Sequence, residues 1–394
     1  MPLTASQEAV IAATAPVVAE HLPTITRRFY PILFERYPEV RSLFNEAHQA
    51  NGAQPQALAG SVLAYVQLRQ DPVKARQVLE TVVSKHVSLD IRPEQYPLVG
   101  ECLMVAIGEV LGEAVTPEVA DAWGALYGEL ADLLIELEEA AYQAFESQPG
   151  GWRGPRTFVV SDIRDESSVI RSFELTPADQ GAVAPFRPGQ YIGVRVMIDG
   201  APHYRHYSLS AYPNGHSYRL SIKREPDGRV SQHFHEHLQP GGQIELLPPA
   251  GNLTLATGTE PVMLLSGGVG QTPLLPIARE ALEAGRRVVY IHAALDPAHH
   301  AFGAELQELA ERYPDLLQPV IVYEQTDDQH QPDHVGRLST QLLQQYLPTA
   351  DARCYFVGPR GFMVVVEQAL ETLGIPADRR HSETFGPSAS FVPA

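Results

Sequence analysis

A chain of 394 residues is long enough for two or three domains, each able to bury its own core. With 44% hydrophobic and 19% charged residues, and with glycine and proline plentiful but unrepeated, the composition excludes a disordered or fibrous protein. Forty-seven acidic against 29 basic side chains give a formal net charge of −18, a field that repels phosphate backbones and speaks against nucleic-acid binding. The opening MPLTASQEAV has no basic segment followed by an apolar run, and no stretch reads as the ~20 apolar residues of a membrane helix. The expectation is a cytosolic protein with no stable membrane insertion. The two cysteines, Cys102 and Cys354, fall in different predicted domains, which excludes a disulfide scaffold or a thiolate metal cluster. Redox chemistry therefore has to come from a cofactor.

From Thr4 to about Phe145 apolar residues recur at three and four positions, the period of helix faces. Trp123, Tyr127, Leu130, Leu134 and Leu137 form one such stripe, and Leu79, Val82, Val83 and His86 another. Three histidines of this region are candidate metal ligands: His21, His48 and His86. His86 alone sits on a clear apolar face. His21 adjoins Leu22 and Pro23, where a helix would be interrupted, and His48 lies in the polar, loop-like stretch 45–52. A histidine on an apolar face is more often a hydrogen-bonded core residue than a ligand, so position alone leaves both readings open. The stretch SQPGGWRG, Ser147 to Gly154, ends the helical part and reads as a linker.

Beyond it come short β-rich runs at Phe158 to Ile163, Ile170 to Leu175, Tyr191 to Met197 and Tyr218 to Lys223, separated by turn residues such as Pro188-Gly189 and Asn214-Gly215. They predict a small antiparallel barrel. After about Thr259, apolar runs at Val262 to Leu265, Val288 to Ala293, Val320 to Tyr323 and Tyr355 to Val357 alternate with helical stretches, which predicts a parallel sheet covered on both faces. The boundaries read as 1–146 for the helical domain, 147–155 for the linker, 156–258 for the barrel and 259–394 for the α/β domain.

Gly267-Gly268-Val269-Gly270-Gln271-Thr272-Pro273 follows the first of these late strands and opens a helix near Pro273. Glycines let a backbone approach a pyrophosphate, and unpaired amides at a helix start point at it. The spacing is G-x-G-x-x-P, short of the full dinucleotide fingerprint, and such a turn is as often structural. In the barrel region, Arg205-His206-Tyr207-Ser208 offers a cation for a phosphate, a ring to cover an isoalloxazine and a hydroxyl for a flavin edge, although it reads equally as an ordinary strand. Taken in order, R-x-Y-S, Gly228-Arg229-Val230-Ser231, GGVGQTP and Gly358-Pro359-Arg360-Gly361 resemble the ferredoxin-reductase family from about Arg156 onward.

That resemblance implies that Tyr191, Arg205, His206, Tyr207 and Ser208 contact FAD, and that Gly268, Val269, Gly270, Gln271, Thr272 and Pro273 hold NAD(P)H. Glu383-Thr384-Phe385-Gly386-Pro387 is similar to the family segment that reaches back to the flavin, with Thr384 where flavohaemoglobins often carry cysteine. In the helical part, Lys85-His86-Val87, Arg92-Pro93-Glu94-Gln95-Tyr96, Arg28-Phe29-Tyr30 and Leu43-Phe44-Asn45 resemble the bacterial globin of flavohaemoglobins. The resemblance makes the chain an all-α globin, an antiparallel FAD barrel and a ferredoxin-reductase-like NAD(P) domain.

By that resemblance haem b is held by His86, with Tyr96 and Glu138 hydrogen-bonded on the proximal side and Lys85 beside it. Tyr30, Phe44, Gln54 and Leu58 form the distal pocket. Pro31 and Pro55 complicate this, Pro31 by removing a helix hydrogen bond next to Tyr30 and Pro55 by turning Gln54 out of helical geometry. The implied activity is nitric oxide dioxygenation, with NO and O2 as substrates and no obligate protein partner. Two other readings stay open: an NAD(P)H-dependent flavin reductase acting on another acceptor, and a haem carrier or sensor for oxygen or lipid. The choice between NADH and NADPH is open as well, because Asp296 suits a ribose while Arg286, Arg287 and nearby histidines suit a 2′-phosphate.

Overall fold

Helix α1 (Ala5–Arg36) starts at a capping box, in which Thr4 accepts from the Gln7 amide and Gln7 accepts back from the Thr4 amide. It runs unbroken through Pro16, Pro23 and Pro31, so the interruption expected beside His21 does not occur. Each proline removes one hydrogen bond. The buried stripe of Ile11, Val18, Leu22, Ile25, Phe29, Ile32 and Leu33 outweighs that loss by packing into the helical core. By length and composition α1 is also apolar enough to cross a bilayer, which the sequence reading did not register.

The computed structural model describes residues 2–44, 62 and 64–385, and in the main the chain divides after Ser147 into two compact units. In the first, α1 packs with α2 (Pro72–Val87), α3 (Tyr96–Leu111) and α4 (Pro117–Glu146) around Phe29, Leu79, Leu103, Trp123, Leu126 and Leu134.

The second unit opens with six antiparallel strands: β1 (Arg156–Asp165), β2 (Ile170–Pro177), β3 (Tyr191–Ile198), β4 (Ala201–Ser208), β5 (Tyr218–Lys223) and β6 (Gln243–Ala250). Their order is β4-β3-β6-β1-β2-β5, and a bridge from Leu209 to Leu220 ties the chain after β4 to β5 at the far edge, closing the barrel. Strand β6 is not among the runs expected from the sequence, and it contains Pro248 and Pro249, residues that are rare inside strands. On the β1 side the pairing covers Gln243–Leu246, ahead of both, and on the β3 side Pro249 stands opposite Ile192 beside a register shift. Helix α5 (Arg229–His237) lies between β5 and β6.

The segment read as a linker is fastened to this barrel. Trp152 is buried, its indole N–H donates to the Leu246 carbonyl (3.3 Å) and its ring lies 5.7 Å from that of Phe158. Gly150, at φ +76°, passes so close to Ala182 that a Cβ would stand 2.5 Å from its carbonyl oxygen.

The rest is a parallel sheet of β7 (Val262–Gly267), β8 (Val288–Ala294), β9 (Leu317–Tyr323), β10 (His334–Val335), β11 (Arg353–Val357) and β12 (Arg380–Ser382). Helices α6 (Gln271–Glu283) and α7 (Gly303–Arg312) cover one face, and α8 (Thr340–Tyr346) and α9 (Arg360–Thr372) the other. The order β10-β9-β8-β7-β11-β12 reverses direction between β7 and β11. Open α/β sheets bind ligands at such a reversal, beyond the carboxyl ends of the strands.

The two strand-to-helix turns at that point touch. A Cβ on Gly270 would lie 2.1 Å from the Val357 carbonyl oxygen, whereas one on Gly108, inside α3, would meet nothing within 4 Å. Gly270→Ala should therefore lower stability by about 1–3 kcal/mol, and Gly108→Ala should raise it by about 0.5–1 kcal/mol. Thermal midpoints of the two variants, moving in opposite directions from the parent, check this.

Candidate functional site

His86 stands in the last turn of α2, where the chain leaves through Asp90 in a left-handed conformation (φ +56°) and turns into α3. Tyr96 is the first residue of α3, and its side chain reaches back across that turn. Glu138 comes from α4 and is 3% exposed. The three meet at one carboxylate oxygen: His86 Nδ1 lies 2.7 Å from Glu138 Oε1, the Tyr96 hydroxyl donates to the same atom at 2.5 Å, and Nδ1 lies 3.0 Å from the Tyr96 oxygen. An ionised carboxylate only accepts, so both neighbours must donate, and the His86 proton sits on Nδ1. In the neutral ring Nε2 then carries the lone pair. The His86 side chain keeps 30% exposure, and Nε2 has no hydrogen-bond partner among the described residues.

Burial, with the Glu138 charge behind it, pushes the Tyr96 hydroxyl well above the usual phenol range and keeps it a donor. Tyr127 from α4 donates to the Tyr96 carbonyl (2.8 Å) and fixes the start of α3. Gly100, one turn on, makes room for that ring, since a Cβ there would lie 2.5 Å from Tyr127 Cε1. This buttress of Tyr127 and Gly100 was not foreseen. The helical period placed Tyr127 on the buried stripe without revealing its partner.

On the other side, Tyr30 is 5% exposed and packs among rings, with Phe29 at 4.9 Å and Phe44 at 5.6 Å, while Phe44 also lies 5.2 Å from Phe34. Burial raises the Tyr30 hydroxyl above the usual phenol range. Lys85 is half-buried beside His86. His21 is exposed on α1. Gln54 and Leu58, expected in the pocket, lie outside the described residues, as do His48 and Pro55.

In the barrel, Tyr191 opens β3 after a turn that only glycine can make: Gly189 has φ +94°, and a Cβ there would lie 1.8 Å from the Leu253 carbonyl oxygen. The turn is bonded to the chain after β4, with the Leu209 amide donating to the Gln190 carbonyl (2.9 Å). That brings Tyr191 against His206, ring centroids 5.0 Å apart, and so beside the Arg205–Ser208 segment. Strand alternation puts Arg205 and Tyr207 on one face of β4 and His206 and Ser208 on the other. Tyr207 packs on Phe234 of α5 at 5.7 Å, and Ser208 is buried. The start of α5 has no side-chain cap, which leaves its first amides for an anion. Glu383 and Thr384 are half-buried after β12 and Phe385 is exposed, while Gly386 and Pro387 lie outside the described residues.

At the sheet reversal, Gly268 has φ +52° and nothing within 4 Å of where a Cβ would stand. Val269 and Gly270 complete a short turn, and α6 begins at Gln271 without a side-chain cap, two residues before the Pro273 expected to open it. Gln271 and Thr272 are buried, and the Thr272 hydroxyl donates to the Val269 carbonyl (2.9 Å). What the turn offers outward is backbone. Beneath it is a polar file on one face of the sheet: Ser266 Oγ lies 2.8 Å from His292 Nδ1, the His292 and His300 rings are 4.8 Å apart, and His300 Nδ1 lies 2.8 Å from the Tyr323 hydroxyl.

Models of a globin, an oxidoreductase FAD-binding domain and an oxidoreductase NAD-binding domain match residues 27–134, 157–255 and 264–368. A flavohemoprotein of Pseudomonas putida is 45% identical over 391 residues, covering 99% of this chain and 100% of the relative. The chain belongs to the flavohaemoglobin family. A flavohemoprotein of Deinococcus radiodurans is 43% identical, with 99% of both chains covered. The crystal structure of the flavohaemoglobin of Malassezia yamatoensis, which has FAD and haem bound, superposes with a TM-score of 0.86 at 29% identity, covering 98% of this chain and 100% of that one. His86, Tyr96 and Glu138 lie in the part matched by or adjoining the globin model, the Arg205–Ser208 strand in the FAD-binding match and the glycine turn in the NAD-binding match.

Burial pushes the His300 imidazole down from its ordinary 6.5 to about 4, and holds His292 well below its ordinary value too. On acidification the unfolded chain takes up these protons first, so stability is full above pH 6.5 and falls as pH drops towards 4. The second unit should lose on the order of 1–3 kcal/mol over this window. Urea midpoints followed by Trp152 fluorescence, in a Trp123→Phe background, should show that loss in the parent and a smaller one in His300→Asn.

Proposed function

We propose that this flavohaemoglobin is a nitric oxide dioxygenase that draws electrons from NAD(P)H and turns NO and O2 into nitrate. A flavohaemoglobin-like FAD/NAD-binding fragment of a nitric oxide dioxygenase from Vibrio cholerae is 36% identical, has a TM-score of 0.55 and covers 60% of this chain and 100% of that fragment. The observation that carries the reading is the contact of His86 Nδ1 with Glu138 and Tyr96, which leaves the Nε2 lone pair for a metal. The donor set fits haem iron. The open Gly268 turn and the uncapped start of α6 likewise fit a pyrophosphate, and the Arg205–Ser208 strand facing Tyr191 and Phe234 fits a flavin.

When bound, haem supplies an iron centre for O2, FAD splits a two-electron donor into single electrons, and the nicotinamide nucleotide supplies the hydride. The balance suits this division, because NO and O2 become nitrate by gaining one electron, so one hydride serves two turnovers. The chain's residues do the rest. Glu138 holds the His86 ring in one tautomer and raises the electron density at Nε2, and Tyr96 stays protonated and keeps the carboxylate in place. Tyr30, held protonated by burial among Phe29, Phe34 and Phe44, keeps a hydroxyl donor on the other side of the pocket and surrounds it with rings that exclude water. Arg205 presents a cation for a flavin phosphate, and the backbone of Gly268–Gly270 approaches the nucleotide where a side chain would obstruct it.

Purified protein supplied with NADH or NADPH and O2 should consume NO in an electrode chamber and release nitrate. His86→Ala should abolish this while leaving reduction of ferricyanide by the flavin intact. An unchanged NO trace with the parent protein contradicts the proposal.

A further inference from the structure

Strand β8 ends one strand away from the glycine turn, with Ala293 in register with Gly267. The chain leaving β8 stays tied to the chain leaving β9, since the Glu324 amide donates to the Ala294 carbonyl (3.0 Å) and the Gln325 amide to the Leu295 carbonyl (2.9 Å). The segments 294–302 and 324–337 thus form a joint rim beside the turn. That rim carries Asp296, Glu324, Asp327, Asp328 and Asp333 against a single arginine, Arg337, and no lysine. Arg337 is already paired with Glu324 at 3.0 Å.

The histidines of the rim are engaged or buried. His299, His330 and His334 lie 2.7 Å from Asp296, Asp327 and the Tyr346 hydroxyl, and His300 bonds to Tyr323 through Nδ1, has its Nε2 buried and is kept neutral by burial. Arg286 and Arg287, which the sequence offered for a 2′-phosphate, precede β8 at the opposite end of the strand. Arg286 is 3% exposed and donates to the Glu260 (2.7 Å) and Ala256 (2.9 Å) carbonyls, so it is a structural residue. Asp296 caps the turn Pro297–His299, accepting from the His299 amide (3.0 Å) and facing its Nδ1 (2.7 Å), and its side chain is 31% exposed. The hydrogen bond from His299 holds the Asp296 carboxyl below the usual range, so the charge is present at neutral pH.

We propose that this acidic rim selects the nicotinamide nucleotide lacking a 2′-phosphate, NAD(H) over NADP(H), with Asp296 as the specificity-determining residue. The inference rests on the reading of Gly267–Pro273 as the nucleotide turn. A ribose 2′-hydroxyl can donate to the Asp296 carboxylate. A 2′-phosphate brings close to two negative charges into a rim with no unpaired guanidinium, and like charges brought together across an interface are strongly disfavoured.

The test is isothermal titration calorimetry of the FAD- and haem-loaded protein with NAD+ and with NADP+ at low salt. The parent should bind NAD+ at least about tenfold more tightly. Asp296→Asn, which keeps a capping side chain, should narrow the ratio severalfold, and Asp296→Arg should invert it. Equal affinities in the parent, tighter NADP+, or a ratio that Asp296→Arg leaves unmoved would each overturn the proposal. Binding of neither nucleotide would instead remove the reading of the glycine turn, and the proposal with it.

Discussion

The chemistry of the helical unit depends on one buried carboxylate. Glu138 is a costly residue to place on the inner face of α4, because a charge taken out of water must be repaid by hydrogen bonds. It receives two, from His86 and Tyr96, at one oxygen. Much of the local fold serves that convergence: the left-handed Asp90 turns α2 into α3, Tyr96 opens α3, and Tyr127 is seated by Gly100 to hold the Tyr96 backbone. The same pair of bonds decides which imidazole nitrogen is available to a metal, so structural satisfaction and ligand activation are one interaction.

A parallel constraint operates in the second unit. There the backbone comes within reach of a ligand because side chains are absent: Gly270 lets the β7–α6 turn lie on the β11–α9 turn, and Gly268 leaves its outer side open. The polar file of Ser266, His292 and His300 packs beneath this turn, and the acidic rim stands next to it. Binding geometry and ligand selection therefore arise from neighbouring strand ends of one sheet, as expected at a reversal of strand order.

Much of this was legible in the sequence where period and turn chemistry speak locally. The 3.6-residue period revealed the helices and the apolar face of His86, and Pro-Gly and Gly-Gly turns marked the barrel and the nucleotide turn. The misreadings have a common physical origin in tertiary packing that outweighs local propensity. Pro23 does not break α1 because its neighbours Leu22 and Ile25 are buried in the core. Pro248 and Pro249 sit in β6 past its pairing with β1 and beside a register shift in its pairing with β3. Glu138 stands beside Glu136 and Glu139, and nothing local marks it as buried, since its two partners lie 42 and 52 residues away in sequence. The predicted strand Val288 to Ala293 already put Arg286 before it and Asp296 after it, but did not reveal the burial of Arg286 against the Glu260 and Ala256 carbonyls, which lie 26 and 30 residues away.

Through the Nδ1 hydrogen bond, Glu138 sets the ligand strength of His86. The direct measurement is the iron–histidine stretching band in the resonance Raman spectrum of the ferrous, dioxygen-free protein, recorded for the parent and for Glu138→Gln. Replacing the carboxylate by a neutral amide weakens the pull on the Nδ1 proton, so the band should move to lower frequency in the variant. The same frequency in both proteins, with haem content and fold retained, would contradict the account.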